Sequence, residues 1–271
     1  MKVAACQMVS GASLAHNLAT AEQLLAQAAD AGAELAVLPE YFCLLGLSEN
    51  DKLSVAETPG QGEIQDFLRR CAECYKLWLV AGTVPLVSPD AGKVYNTALA
   101  FSPLGDCVAR YDKIHLFKFD NGSEHYDESR VITPGQLPVT FDLPSQDGHT
   151  WRVGLSICYD LRFPELYRAL QADLLLVPSA FAHTTGKAHW EVLLRARAIE
   201  NLAYVLAAAQ GGVHENQRRT WGQSMVVNPW GEVIAQLAEG PGVVLADIEH
   251  SALATARAQL PALLHRKVGA A

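Results

Sequence analysis

The sequence predicts an α/β protein built on mixed sheets, and three features of the chain support this class. Short apolar runs of strand length alternate with amphipathic helical segments early in each half of the chain. Later in each half, strand follows strand across turn residues, which predicts antiparallel pairs beside parallel ones. Half of the 271 residues are apolar and only 18% are charged, so the chain can bury a large core without disulfide bonds.

The first half contains five predicted strands and two predicted helices. The strands are the apolar or alternating runs at residues 3–8, 35–38, 78–84, 94–101 and 107–111. The helices cover residues 13–31, where leucines and alanines recur near helical spacing and Gly32 stands at the expected stop, and residues 62–75. The last two strands are expected to pair across a turn at Pro103, Leu104 and Gly105.

The second half repeats this arrangement. Its predicted strands are residues 151–157, 174–177, 204–209, 224–227, 232–236 and 243–248, and its predicted helices are residues 164–171, 187–201 and 251–264. Between the halves, residues 117–135 are polar and irregular, and a loop of this length in a compact domain is often functional. Because no linker of Pro, Ser or Gly separates the halves, we expect one domain over residues 1–271.

Composition excludes several classes of function. The formal net charge of -8 argues against nucleic-acid binding, which depends on clustered Lys and Arg. The six cysteines are widely scattered, as expected for reduced thiols in a cytoplasmic protein. We expect no secretory signal and no membrane association, because the longest apolar run, residues 202–209, is far shorter than the roughly 18 residues of a membrane span.

Three polar residues stand directly after apolar strands, where ligands bind in α/β sheets. They are Glu40, Lys113 and Cys158, and we expect them to converge on one cleft. A thiol at the strand-to-helix corner of Cys158 faces backbone N–H groups that favour thiolate and can hold an oxyanion. Taken singly, each has an alternative role: Cys158 as a small buried hydrophobe, Lys113 as a surface lysine, Glu40 as a helix cap. Glu128, in the long loop, would then be a solvated carboxylate.

Together these residues supply a nucleophile, a cation and a proton shuttle, as acyl transfer requires. The segments LPEYF, YDKIHLF and ICYDLRFPELY, in this order, resemble the Glu, Lys and Cys signatures of the nitrilase (carbon–nitrogen hydrolase) superfamily. The segments AHWEVLLRARAIE, AAAQ and GQSMVVNPWGEV are most similar to its deaminated-glutathione amidase branch, which is itself similar to the ω-amidases. Relatives often carry Cys after AAAQ, where this chain has Gly211, and this leaves the shape of the far pocket open.

The resemblance implies a four-layer α-β-β-α sandwich that forms a homodimer through the helices after the Cys158 strand. It implies that Cys158 is the nucleophile, Glu40 the general base, Lys113 the oxyanion cation and Glu128 a second glutamate that positions the site. It also implies hydrolysis of the amide of deaminated glutathione to 2-oxoglutarate and cysteinylglycine, with no metal and no organic cofactor. The alternative is an ω-amidase acting on 2-oxoglutaramate or another small carboxylate amide.

The same resemblance suggests which residues bind the substrate. The backbone N–H of Tyr159 would hold the oxyanion, Arg162 would contact a substrate carboxylate, and Phe181 and Thr185 would line the pocket. Their alternatives are an ion pair of Arg162 with Asp160 or Glu165, a core role for Phe181 and a helix N-terminal role for Thr185.

Three further groups have weaker patterns. The loop with Gly211, Gly212, His214, Arg218 and Arg219 is expected to be a solvated turn, with a clamp for a second carboxylate as the alternative. Cys71 and Cys74 form a C-x-x-C motif without a second pair, so we expect plain helix residues and not a zinc site. His183 and His189 would suit a Cys-His protease, but that interpretation leaves the Glu and Lys motifs unexplained.

Overall fold

The computed structural model describes residues 1–268 and contains two six-stranded sheets. The order in the first sheet is β16-β1-β2-β3-β4-β5. These strands span β1 Lys2–Gln7, β2 Leu35–Val37, β3 Trp78–Val87, β4 Val94–Phe101, β5 Cys107–Asp112 and β16 Gly242–Asp247. Only the β1-β2 and β2-β3 pairs are parallel, so the sheet is mixed, as the sequence predicts.

The second sheet has the order β15-β14-β11-β10-β9-β8. Its strands span β8 Thr140–Pro144, β9 Thr150–Leu155, β10 Leu174–Leu176, β11 Tyr204–Ala207, β14 Ser224–Val227 and β15 Val233–Leu237. Here β9-β10 and β10-β11 are parallel and the other pairs are antiparallel. Read from β8, the second sheet therefore repeats the pair orientations of the first sheet read from β16.

Two small hairpins lie outside the large sheets. One pairs β6 Lys118–Asp120 with β7 His125–Asp127, and the other pairs β12 Gly211–Val213 with β13 Arg219–Trp221. The helices span α1 Leu14–Asp30, α2 Asp51–Ser54, α3 Glu63–Tyr75, α4 Pro164–Leu170, α5 His183–Asn201 and α6 His250–Gln259. In the described part of the chain, three 3-10 helices cover Glu128–Arg130, Cys158–Arg162 and Ala262–His265.

The layers follow from strands that are apolar on both faces. In β1, Val3 and Ala5 pack into the core shared with the second sheet, whereas Ala4 and Cys6 pack with α1 and α3 on the outer side. Helices α4 and α5 contact the second sheet. The order is therefore helices, sheet, sheet, helices, which confirms the predicted four-layer α-β-β-α sandwich.

Several predicted boundaries were wrong, each for a local reason. Residues 117–135 are not wholly irregular, because they contain the β6-β7 hairpin and the first 3-10 helix. Helix α5 begins four residues before the predicted start. The added turn contains Gly186, where a side chain would overlap Trp221. The last helix ends at Gln259, since Pro261 interrupts it before the short 3-10 helix.

The loop that follows β2 is packed tightly against β3. The pairing of β3 with β4 is irregular between Ala81 and Val84, and there Thr83 accepts a hydrogen bond at Oγ1 from the backbone N–H of Tyr41, 2.8 Å away. A Cβ atom at Gly82 would overlap the carbonyl oxygens of Leu38 and Pro39. The missing side chain therefore lets the segment carrying Glu40 approach the bulge.

We expect Gly82→Ala to lower the free energy of unfolding by about 3 kcal/mol, because the new methyl group must push two backbone carbonyls away. Urea denaturation monitored by circular dichroism measures this. Gly92→Ala is the matched control: Gly92 has open space around it and a φ of 73°, so only the left-handed backbone costs energy, about 1 kcal/mol. Equal losses in the two variants would contradict a steric role for Gly82.

Candidate active site

The structure brings together the four residues to which the resemblance assigns catalytic roles. Glu40 lies three residues beyond the end of β2, and Lys113 directly follows β5. Glu128 opens the first 3-10 helix, after the β6-β7 hairpin, and Cys158 opens the second, after β9. The segments after β2 and β5 of the first sheet, after β9 of the second sheet and after the β6-β7 hairpin therefore meet at one point.

Lys113 is the centre of this cluster and is completely buried. Its Nζ atom lies 2.8 Å from Glu40 Oε1 and 2.9 Å from Glu128 Oε1. Burial alone would lower the pKa of Lys113, but the charges of Glu128 and Glu40 outweigh it and raise the pKa above its ordinary value. Lys113 is therefore a fixed positive charge in the protein interior.

Both oxygens of Glu40 are held by donors. Oε1 accepts hydrogen bonds from Lys113 Nζ and from Asn96 Nδ2, the latter at 2.9 Å. Oε2 accepts from the backbone N–H of Ala180, also at 2.9 Å. Asn96 comes from β4 and Ala180 from the segment after β10, so the two sheets together fix the orientation of this carboxylate.

Glu128 is held as firmly as Glu40. The Tyr41 hydroxyl donates to its Oε1 at 2.8 Å, and the backbone N–H of Phe117 donates to its Oε2 at 2.6 Å. Burial would raise the pKa of Glu128, but the charge and hydrogen bond of Lys113, with the other donors, lower it below the ordinary value. Glu128 is thus ionised, and two carboxylates share one ammonium group.

Cys158 adopts a left-handed backbone conformation, with φ of 49°, that costs a non-glycine residue about 1–2 kcal/mol. Its backbone N–H donates to the Pro178 carbonyl at 2.9 Å, which helps to hold this turn. Burial and the charge of Glu40 raise the pKa of the thiol well above its ordinary value, and Lys113 offsets them only in part. Burial, with the charges of Glu40 and Glu128, thus favours the neutral thiol over the thiolate that the strand-to-helix corner was expected to favour.

Asp160 ties the Cys158 turn to the segment carrying Lys113. Its Oδ2 accepts from the backbone N–H of Ile157 at 2.9 Å and from the Tyr111 hydroxyl at 2.7 Å. Its Oδ1 accepts from the backbone N–H of His115 and lies 2.7 Å from the His115 Nδ1 atom. The sequence left open an ion pair between Asp160 and Arg162. In the structure Asp160 instead contacts Tyr111 and His115, at the end of β5.

A cavity of about 270 Å³ opens beside the thiol. The residues lining it are Glu40, Phe117, Glu128, Cys158, Tyr159, Ala180, Phe181, Ala182, Thr185 and Arg218. Tyr159, Phe181 and Thr185, to which the resemblance assigns substrate contacts, all line this cavity. Arg162 reaches them from outside, with its guanidinium 5.8 Å from the ring centre of Tyr159 and 5.2 Å from that of Phe181.

Sequence reasoning missed some of the residues at this site. Asn96 lies inside a strand and Tyr41 follows Glu40, so no pattern separates them from ordinary strand or loop residues. The expected solvated turn is wrong for His214, which is buried between Ser10 and Thr220, and for Arg218, which lines the cavity. The alternative role for this loop, a clamp for a second carboxylate, is the sequence signal that points to Arg218.

The weaker candidates have no place in this cluster. Cys71 is buried and Cys74 exposed, both on α3. His189 lies on the exposed side of α5, with Nδ1 3.3 Å from the Arg162 guanidinium, and it is not among the residues that line the cavity beside the thiol. Within residues 1–268, no group of three His, Cys, Asp or Glu side chains is arranged to hold a metal ion, and no helix has the length and apolarity to cross a membrane.

The profile of the carbon-nitrogen hydrolase family matches residues 2–258. The chain belongs to this family. It is 44% identical over 269 residues to a deaminated glutathione amidase of Synechocystis, covering 97% of each chain. It is 40% identical over 273 residues to the human deaminated glutathione amidase, covering 98% of this chain and 82% of the relative.

Solved structures agree with the family assignment. The Saccharomyces cerevisiae Nit3 structure, from branch 10 of the nitrilase superfamily, matches with a TM-score of 0.85 and 30% identity, over 96% of this chain and 94% of Nit3. The resemblance to the nitrilase superfamily is thus confirmed. As a carbon–nitrogen hydrolase, the protein is an enzyme that cleaves non-peptide C–N bonds in linear amides.

We expect Cys158 of the wild-type hydrolase to be alkylated by iodoacetamide with a pKa above the ordinary value of about 8.5. In Glu40→Gln the pKa should fall, because a negative charge and a hydrogen bond that favour the neutral thiol are both removed. Mass spectrometry of the peptide carrying Cys158, across a pH series, resolves this thiol from the other five.

Glu165→Gln is the matched control, since Glu165 is an exposed residue of α4. It should leave the alkylation profile unchanged. A Glu40→Gln profile at or above that of the wild type would show that Glu40 does not hold the thiol in its protonated form.

Proposed function

We propose that this hydrolase cleaves the amide of deaminated glutathione and releases 2-oxoglutarate and cysteinylglycine. The observation that carries the proposal is the cluster of Glu40, Lys113 and Cys158 beside one cavity. The choice of substrate rests on the relatives from Synechocystis and human, which bear that activity in their names. Both match nearly the whole of this chain.

The proposed acylation step uses the protonated resting thiol. As the Cys158 sulfur attacks the amide carbon, its proton passes to Glu40, so no free thiolate has to persist beside two carboxylates. The oxyanion that forms is stabilised by Lys113 Nζ and by the N–H of Tyr159, which lies in the first turn of a 3-10 helix where backbone N–H groups have no partner within the helix. Glu40 then gives the proton to the leaving nitrogen as the C–N bond breaks.

Deacylation uses the same groups in reverse. Glu40 accepts a proton from water, the hydroxyl oxygen adds to the thioester carbon, and the second oxyanion occupies the same position near Lys113. When the C–S bond breaks, the proton on Glu40 returns to sulfur, which restores the neutral thiol. Glu128 acts as a positioning residue, since it holds Lys113 Nζ together with Glu40.

The acyl half of the substrate carries a carboxylate and a ketone. We assign the carboxylate to Arg162, which stands over the rings of Tyr159 and Phe181 and can reach the cavity between them. Phe181 would pack against the methylene chain, and Thr185 would offer a hydroxyl from the first turn of α5. This arrangement gives an anionic substrate a cation on the acyl side.

An ω-amidase acting on 2-oxoglutaramate is the second candidate. The acyl half is the same in both substrates, and only the leaving group differs. The room beside the thiol favours this alternative, because the cavity's lining residues leave space for little more than a water-sized group, which suits ammonia better than a dipeptide.

The ratio of kcat/KM for the two substrates decides between these functions. We expect the wild type to prefer deaminated glutathione, and Cys158→Ala to lose at least about 10³-fold in kcat on either substrate. Trapping with acid should give a mass increase of one 2-oxoglutaryl group on Cys158. Exposed Cys74→Ala is the matched control. Full activity of Cys158→Ala would disprove the nucleophile, and a preference for 2-oxoglutaramate would favour the ω-amidase.

We also propose that the chain forms a homodimer through the outer face of α5. Val192 and Ile199 are 68% and 47% exposed and lie two turns apart on one face of this helix. Trp230 is 54% exposed on the adjacent turn, which Arg195 Nε holds against α5 through the Gly231 carbonyl at 2.7 Å. A second copy of this face would cover all three apolar side chains.

Sedimentation should give the mass of two chains for the wild type and of one chain for Val192→Glu combined with Ile199→Glu, because a dimer would bury the new charges. Leu104→Glu, at a 73% exposed residue of the β4-β5 turn, is the control and should remain dimeric. A double variant that still sediments as a dimer would rule out this face.

The remaining expectations are proposals of the same kind. We propose a cytoplasmic enzyme, because its six cysteines are free and the reaction needs a reduced thiol. We propose that residues 1–271 act as one domain, of which residues 269–271 lie outside the described part. Nucleic acid is not expected as a partner of a chain with net charge -8, and membranes are not expected because the longest apolar run, residues 202–209, is short.

A further inference from the structure

A second cavity, of about 300 Å³, lies beside the first and shares Arg218 with it. Its other lining residues are Tyr41, Leu44, Leu45, Gly46, Ser48, Glu49, Lys52 and Asn216. Tyr41 connects the two spaces: its hydroxyl donates to Glu128, while Lys52 Nζ lies 5.1 Å from the centre of its ring. The ammonium group of Lys52 is therefore about one tyrosine side chain away from the catalytic cluster.

Arg218 stands between the cavities with unused hydrogen-bonding capacity. One guanidinium nitrogen donates to the Ala180 carbonyl at 3.1 Å, and the group lies 4.9 Å from the centre of the Tyr126 ring. Its Nε atom is buried and has no hydrogen-bond partner among the described residues. An unpaired buried donor on a cation is costly, and an anion bound beside it would remove that cost.

Lys52 is available to the same anion. Its side chain is only 12% exposed and pairs with Glu49, whose side chain is 55% exposed. Because Glu49 is on the solvent side, it can turn outward while Lys52 stays over Tyr41. Two cations then face one cavity, and a carboxylate is the group that both would bind.

We propose that this second cavity, between Lys52 and Arg218, is the subsite for the terminal carboxylate of the leaving group. The inference rests on the proposed function, in which the leaving group is a dipeptide ending in a glycine carboxylate. Two extended residues span about 7 Å, and the dipeptide would pass from the first cavity into the second beside Arg218, which lines both. The first cavity then needs to hold only the acyl half.

The test compares deaminated glutathione with its glycinamide analogue, which has the same acyl group and scissile bond but no terminal charge. In the wild type we expect kcat/KM to favour the carboxylate by about tenfold, mainly through KM, because the contact is remote from the reacting atoms. Lys52→Met should reduce this preference to less than about twofold, and Arg218→Gln should also reduce it.

Two further variants sharpen the test. Glu49→Gln should increase the preference, because it removes the carboxylate that competes for Lys52, and its exposed position makes misfolding no concern. Lys76→Met, at an exposed lysine after α3, should keep the wild-type ratio. A ratio unaffected by Lys52→Met and by Glu49→Gln would overturn the subsite.

Activity on 2-oxoglutaramate shows whether the subsite alone is wrong or the proposed function is wrong as well. If the wild type cleaves 2-oxoglutaramate but neither dipeptide substrate, the proposed function is wrong and the subsite falls with it. If it cleaves both dipeptide substrates at equal kcat/KM, the proposed function stands and only the subsite is wrong.

Discussion

The buried ammonium of Lys113 between Glu40 and Glu128 is the interaction on which the rest of the site depends. A completely buried lysine keeps its charge only when it is paired, and each carboxylate that pairs with it must also be satisfied. Asn96, Ala180, Tyr41 and Phe117 supply those further hydrogen bonds. Removing Lys113 would leave two buried carboxylates without a counter-charge, so the cluster holds five separate segments of the chain together.

The sandwich brings these hydrogen-bond partners together because each half of the chain contains the same strand-and-turn arrangement. The segment LAVLPE at residues 35–40 and the segment LLLVPS at residues 174–179 each form a short parallel strand followed by a proline turn. The first ends on the Glu40 carboxylate, and the second is followed by Ala180, whose N–H binds that carboxylate. The proposed base is thus supported by the matching strand of the other sheet.

Local signals explain how much of this could be predicted from the sequence. The central strands are apolar on both faces, so the sequence predicts them, and Glu40 and Cys158 stand out because they follow such runs. Lys113 follows the partly exposed edge strand β5, so it stands out only through its segment YDKIHLF. The β6-β7 hairpin is short and polar, and α5 begins with threonines and Gly186, which have low helix propensity. These elements are stabilised by tertiary contacts such as Gly186 against Trp221, which no local pattern contains.

The protonation state of Cys158 shows the limit of local reasoning more sharply. The first turn of a helix favours thiolate, but this 3-10 helix has only five residues, and the two carboxylates lie in the same buried space. Those carboxylates and Lys113 carry one net negative charge, which opposes an anionic substrate as well as a thiolate. The site can therefore accept such a substrate only if cations lie around its rim, and Arg162 and Arg218 occupy that position. The net charge of -8 describes the whole chain, whereas the arrangement of these few side chains decides what reaches the thiol.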